Sequence, residues 1–99
     1  MSKIVNITTD QARQMIRSGH DLLLLDVREP AEHDAGNIPN SVNMPWNSGR
    51  VHAHYTELPH KPILIYCASG YRSVYAARFL LQQGFTEVYN LLGGYHAWK

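Results

Sequence analysis

Two short runs, Leu22-Leu23-Leu24-Leu25 and Ile63-Leu64-Ile65-Tyr66, are apolar at every position. Side chains of a strand alternate between its two faces, so an uninterrupted apolar run suits a strand buried on both sides. Periodicity alone does not separate such a run from a piece of buried helix, and the flanks decide. Gly19 and Asp26 bracket the first run, Pro62 precedes the second, and both runs are short for a helix. Helix-patterned stretches lie between them. Strands of this kind alternating with helices predict an α/β fold, a central mostly parallel sheet of about five strands covered by helices on both faces.

The remaining elements follow from local signals. Ile4, Val5 and Ile7 suit a brief first strand, and Thr8 with Gln11 reads as a capping box ahead of Ala12, Met15 and Ile16 at helical spacing, with Gly19 as its stop. Pro30 suits the first turn of a short helix reaching about Asp34, which Glu29 favours at its start. Gly36 and Pro39 mark a loop before a short strand at Val42 to Met44. Residues 46–62 read as loop with at most a short helix. A helix is predicted from Ser73 to Gln83, ended by Gly84 with a Leu80–Phe85 contact across the cap. Val88 to Leu92 is the last strand, Gly93-Gly94 a turn, and Tyr95 to Lys99 one closing helical turn carrying Trp98.

With 99 residues, 44% of them apolar and 17% charged, the chain reads as one domain, 1–99, with enough apolar surface for a core. Nine Lys plus Arg against eight Asp plus Glu leave a formal charge of +1, which argues against nucleic acid as a partner. No apolar run approaches the ~20 residues of a membrane span, and Met1 to Asp10 offers no secretory apolar region. A single cysteine forms no intrachain disulfide, so the expected address is the cytoplasm.

That cysteine stands at a telling place. Ligands of open α/β sheets bind beyond the carboxyl ends of the strands, and Cys67 follows the fourth strand directly, ahead of a helix. Helix N–H groups without intrahelical partners and the nearby Arg72 favour a thiolate. Ala68, Ser69 and Gly70 are small enough for successive N–H groups to converge on one anion. A cysteine that only fills space needs neither the glycine-bearing loop nor the cation. The reading requires the sulfur to be ionised and open to solvent.

The loop Cys67-Ala68-Ser69-Gly70-Tyr71-Arg72-Ser73 resembles the active-site loop of rhodanese-type sulfurtransferases. Asp26-Val27-Arg28-Glu29, Glu32 with Gly36-Asn37-Ile38-Pro39, and Gly93-Gly94 with Trp98 resemble three further elements of that family in the same order. Asn37 stands where the family usually has His, and Asn40-Ser41 where Gly-Ala is common. The resemblance implies a ping-pong reaction. Cys67 takes a sulfane sulfur from a small anionic donor such as thiosulfate, becomes a persulfide, and yields the sulfur to cyanide, a thiol or an acceptor protein. No cofactor or metal is implied. With no second cysteine in the chain, the acceptor comes from outside. Arg72 is the candidate to bind the donor through its planar fork, against an ion-pair role. Ser69 and Ser73 are candidate hydroxyl donors, Ser73 being equally suited to an N-cap. Gly70 and Tyr71 act through backbone N–H groups, the Tyr71 ring lying at the pocket mouth or simply exposed. Asp26 and Arg28 support the loop, more as a structural pair than as chemistry.

Three rival readings stay open. Phosphatase and arsenate reductase loops of related folds place five residues between Cys and Arg, whereas Cys67 and Arg72 are separated by four. A regulatory or protein-binding module, or a persulfide carrier, is weakened by retention of Cys67. Zinc held by His52, His54 and His60, or by His33 beside Glu32 and Asp34, lacks a recognised ligand pattern.

Overall fold

The structure is a computed structural model and describes residues 3–99; Met1 and Ser2, the first of the residues read for a secretory leader, lie outside it. Strands β1 (Ile4–Ile7), β2 (Leu23–Asp26), β3 (Val42–Asn43), β4 (Ile63–Tyr66) and β5 (Val88–Leu91) form one sheet in the order β1-β5-β4-β2-β3. All four pairings are parallel. Helices α1 (Thr9–Arg17), α2 (Pro30–Ala35), α3 (Arg50–His54), α4 (Tyr71–Gln82) and α5 (Gly94–Trp98) complete the chain, with a 3₁₀ turn at Tyr55–Glu57.

All eight residues of β2 and β4 are buried, among them Leu23 to Leu25 and Ile63 to Tyr66 of the apolar runs, while Leu22 is half-buried and Asp26 completes β2. Alternation along these strands divides the interior in two. Leu23, Leu25, Ile63, Ile65 and Val88 pack with Ala76, Ala77 and Leu80 of α4. On the opposite face Leu24, Leu64, Tyr66 and Leu91 pack with Ala12 of α1 and are joined by Tyr95 and Trp98 of α5. Leu80 is fully buried, so truncation to Ala is expected to cost about 2–5 kcal/mol.

The local signals work as read at the start of α1 and at the end of α4. At α1 the Gln11 N–H donates to Thr8 Oγ1 at 3.2 Å and the Thr8 N–H to Gln11 Oε1 at 2.8 Å, a complete capping box. Past α4, Gly84 takes φ +99°, and the Phe85 N–H donates to the Leu80 carbonyl at 3.2 Å, closing the expected Schellman turn.

Boundaries depart from expectation in informative places. β2 starts at Leu23 and runs on through Asp26, because the Leu23 N–H pairs with the Pro62 carbonyl while Leu22 stays outside the ladder. β3 ends at Asn43, short of Met44. α5 begins at Gly94. α4 begins at Tyr71, two residues before the expected Ser73, because Gly70 at φ +110° turns the chain sharply into the helix. Ser73 is therefore no N-cap but a buried residue of the first helical turn.

β2 and β4 are neighbours, yet the chain leaves β2 toward β3 on one side and β4 toward β5 on the other. Their carboxyl ends thus border the switch-point crevice of an open parallel sheet. Asp26 and Tyr66 are register partners there, which sets Cys67 beside Val27.

Candidate active site

Cys67 leaves β4 straight into a loop that folds back on its own sulfur. The Gly70 N–H donates to Cys67 Sγ at 3.0 Å, and Ser73 Oγ lies 3.4 Å from the same sulfur. Burial pushes the thiol pKa up. Hydrogen bonding with the Ser73 side chain and with the backbone of Ser73, Gly70 and Ser69 outweighs that and holds it below the ordinary thiol value. Tyr71 makes none of these bonds, and the residue is 78% exposed, in solvent rather than against the sulfur.

One expectation is corrected. Cys67 is 1% exposed, so the sulfur sits at the bottom of the loop and not in the open. Converging amides have to surround the anion they stabilise, and small residues at 68–70 let them close tightly over it. Ala68, Ser69 and Gly70 themselves are half-buried or exposed, so solvent reaches the loop from above.

The loop is held from beneath by α5. The Tyr95 N–H donates to the Cys67 carbonyl at 2.8 Å and the His96 N–H to the Ala68 carbonyl at 3.1 Å. Gly94 makes this approach possible: a Cβ there would stand 2.4 Å from the Cys67 carbonyl oxygen.

Arg72 spans to α2, its Nη1 and Nη2 donating to the two carboxylate oxygens of Glu32 at 2.7 and 3.1 Å. Those Arg72 hydrogen bonds hold the Glu32 carboxyl down at about 2. The fork is thus engaged within the protein by an ion pair that uses one N–H on each terminal nitrogen. Asp26 is fully buried beneath the crevice. Arg28 Nε and Nη2 donate to its carboxylate at 3.0 and 2.7 Å, and His33 Nδ1 lies 2.9 Å from it. Burial pushes the Asp26 carboxyl up, but these partners hold it below the usual carboxylate range. Arg28 also donates to the Gly36 carbonyl at 2.7 Å and lies over the Tyr95 ring, tying the β2 end to α2 and α5. This is the arrangement of a structural pair.

A cavity of about 230 Å³ opens beside Ala68, with Arg28, Glu32, His96 and Lys99 in its wall. The histidines weighed as zinc ligands go to separate partners. His52 packs on Phe79 and Trp46, His54 meets Glu57 at 2.6 Å, and His60 stacks on Phe85.

The model of the rhodanese-like domain matches residues 8–99. The chain belongs to the rhodanese-like domain family. A curated relative named sulfurtransferase, from Allochromatium vinosum, is 38% identical over 93% of this chain and 85% of its own length. Another, the thiosulfate sulfurtransferase GlpE of Pseudoalteromonas translucida, is 37% identical over 80% of this chain and 74% of its own. The solved rhodanese-related protein from Thermoplasma volcanium superposes with a TM-score of 0.83 at 32% identity, covering 95% of this chain and 89% of that one.

Departures from the rhodanese pattern are accommodated locally. Asn40 adopts φ +69°, left-handed geometry that Asn tolerates better than most residues. Asn37 Nδ2 donates to the His33 carbonyl at 2.9 Å, satisfying a carbonyl near the end of α2.

Two contacts around this rhodanese-like loop escaped the sequence reading. Gly94 was read as part of a turn and of the Gly93-Gly94 element with Trp98, but not as the residue packed against the Cys67 carbonyl. Asn90 lies in β5, 2% exposed, and accepts a 2.6 Å hydrogen bond from Ser73. A polar residue inside the apolar run Val88 to Leu92 was the available signal.

Proposed function

We propose that this chain is a sulfurtransferase moving sulfane sulfur from thiosulfate, or a donor like it, to a nucleophilic acceptor through a persulfide on Cys67. The observation that carries the reading is the Gly70 N–H aimed at Cys67 Sγ from 3.0 Å inside a loop that lowers the thiol pKa. The thiolate attacks the outer sulfur of thiosulfate, an S–S bond forms, and the donor's own S–S bond breaks with its electron pair leaving on sulfite. The new persulfide is again an anion, and the backbone N–H groups of Ser69, Gly70 and Ser73 stabilise it, with the Ser73 hydroxyl beside the inner sulfur. Cyanide or a thiolate then attacks the terminal sulfur and Cys67 departs as thiolate. Arg72 meets the donor dianion with the N–H donors that Glu32 leaves free, while its bond to Glu32 keeps the loop in place. Asp26 and Arg28 hold the crevice floor.

No described helix is long and apolar enough to cross a membrane. The unpaired thiol fits a reducing, cytoplasmic setting, where it stays available.

The test is thiocyanate formation from thiosulfate and cyanide by the purified protein, abolished in Cys67→Ser. A folded protein whose Cys67 alkylates readily yet forms no thiocyanate would favour the binding-module reading.

A further inference from the structure

Behind the sulfur runs a chain of side chains whose members beyond Ser73 have no part in sulfur transfer as described. Ser73 Oγ is 3.4 Å from Cys67 Sγ and 2.6 Å from Asn90 Oδ1, and Asn90 Nδ2 donates to Asn6 Oδ1 at 3.0 Å. Asn90 and Asn6 are register partners on β5 and β1, so the chain leads from the buried loop to the exposed edge strand. Ser73 is fully buried and Asn90 nearly so.

A hydroxyl carries one proton, and that fixes what the chain can do. As arranged, the thiol S–H donates to Ser73, and Ser73 donates to Asn90. This polarity fits neutral Cys67 only. A thiolate needs the Ser73 proton for itself, which would leave two oxygens facing at 2.6 Å with no proton between them. The conflict vanishes if the Asn90 amide turns over: Nδ2 then donates to Ser73 Oγ, and Oδ1 accepts from the likewise turned amide of Asn6. Oxygen and nitrogen ends of an amide are nearly the same size, so both polarities fill the same space with every partner satisfied.

We propose that Asn90 is a positioning residue: the end of its amide turned toward Ser73 sets whether the Ser73 hydroxyl donates to Cys67 or is withheld from it. The amides rotate and carry no proton, and the proton lost from sulfur goes to a solvent base. The role rests on Cys67 being the nucleophile, but its test needs no sulfur donor, so failure of the sulfur-transfer reading would show separately.

The test is the apparent pKa of Cys67, from the pH dependence of iodoacetamide alkylation. Asn90→Asp keeps the shape but only accepts, so it pins the Ser73 proton away from sulfur. We expect the pKa to rise by about one, a roughly tenfold slower reaction below it. In a Ser73→Ala background the same change should lose most of that effect, since no hydroxyl remains to be turned. Asn6→Asp, on the exposed strand, holds Asn90 Nδ2 outward and should raise the pKa likewise, again only when Ser73 is present; it carries the test should Asn90→Asp not fold. The ionisable groups around the loop, Arg72, Glu32, Arg28, Tyr95, His96 and Lys99, are common to all these proteins. No rise in either variant overturns the proposal. So does an equal rise with and without Ser73, which would mark a carboxylate acting through space.

Discussion

Replacing Gly94 with Ala isolates what shapes the loop around Cys67. The added Cβ would lie 2.4 Å from the Cys67 carbonyl oxygen and 2.6 Å from the carbonyl carbon and oxygen of Ala68. Ordinary contacts are near 3.5 Å, so the loop backbone must retreat by about 1 Å. Gly94 also sits at φ +58°, where a residue with a Cβ costs about 1–2 kcal/mol, partly offset by about 0.4–1 kcal/mol from a stiffer unfolded chain. Overpacking against backbone adds about 1–3 kcal/mol. Gly19 is the matched control, with φ +79° and nothing within 4 Å of its Cβ position. Gly94→Ala should therefore lose about 3 kcal/mol in urea unfolding, some 2 kcal/mol more than Gly19→Ala. A retreat of that size also breaks the alignment of the Gly70 N–H with Sγ, so alkylation of Cys67 below its pKa should slow at least about tenfold. Gly19→Ala should leave it unchanged. Equal stabilities of the two variants with unaltered alkylation would refute the idea that the approach of α5 holds the loop.

Three further outcomes follow from the ion pairs. Asp26→Ala strands buried Arg28 without its carboxylate and should cost about 3–5 kcal/mol in urea unfolding; a loss typical of a surface position would contradict the pairing seen here. Glu32 ionises at about 2 when folded against 4.5 ordinarily, so its contribution is complete above pH 4.5 and fades as pH falls toward 2. Both partners keep solvent contact, so the contribution is about 1 kcal/mol, and Glu32→Gln should flatten the stability curve in that window. Arg72→Lys keeps the charge and loses the fork; thiosulfate KM should rise several-fold while stability falls by no more than about 1 kcal/mol, and matching losses in both would make Arg72 purely structural.

Which features were legible follows from the range of the forces behind them. The apolar runs at 22–25 and 63–66 announce a doubly buried parallel sheet once their shortness and the flanking Gly19 and Pro62 decide for strand over helix. Thr8 with Gln11, and Gly84 with Phe85, are local devices whose partners lie within a few residues, so sequence shows them directly. Cys67 stood out through its small neighbours. The start of α4 was misplaced because Ser73 looks like a cap, whereas the turn is made by Gly70. The depth of the sulfur was misjudged for the same reason, since a loop that closes on an anion also hides it. Arg72 with Glu32, Asn90 with Ser73 and Gly94 against Cys67 are separated by 17 to 40 residues, and only the sheet order brings them together.

The most direct measurement is the intact mass of the protein after incubation with thiosulfate and removal of excess donor. A gain of one sulfur atom, reversed by a thiol reductant and absent in Cys67→Ser, is the predicted result. An unchanged mass in folded protein whose Cys67 still alkylates below neutral pH would contradict it.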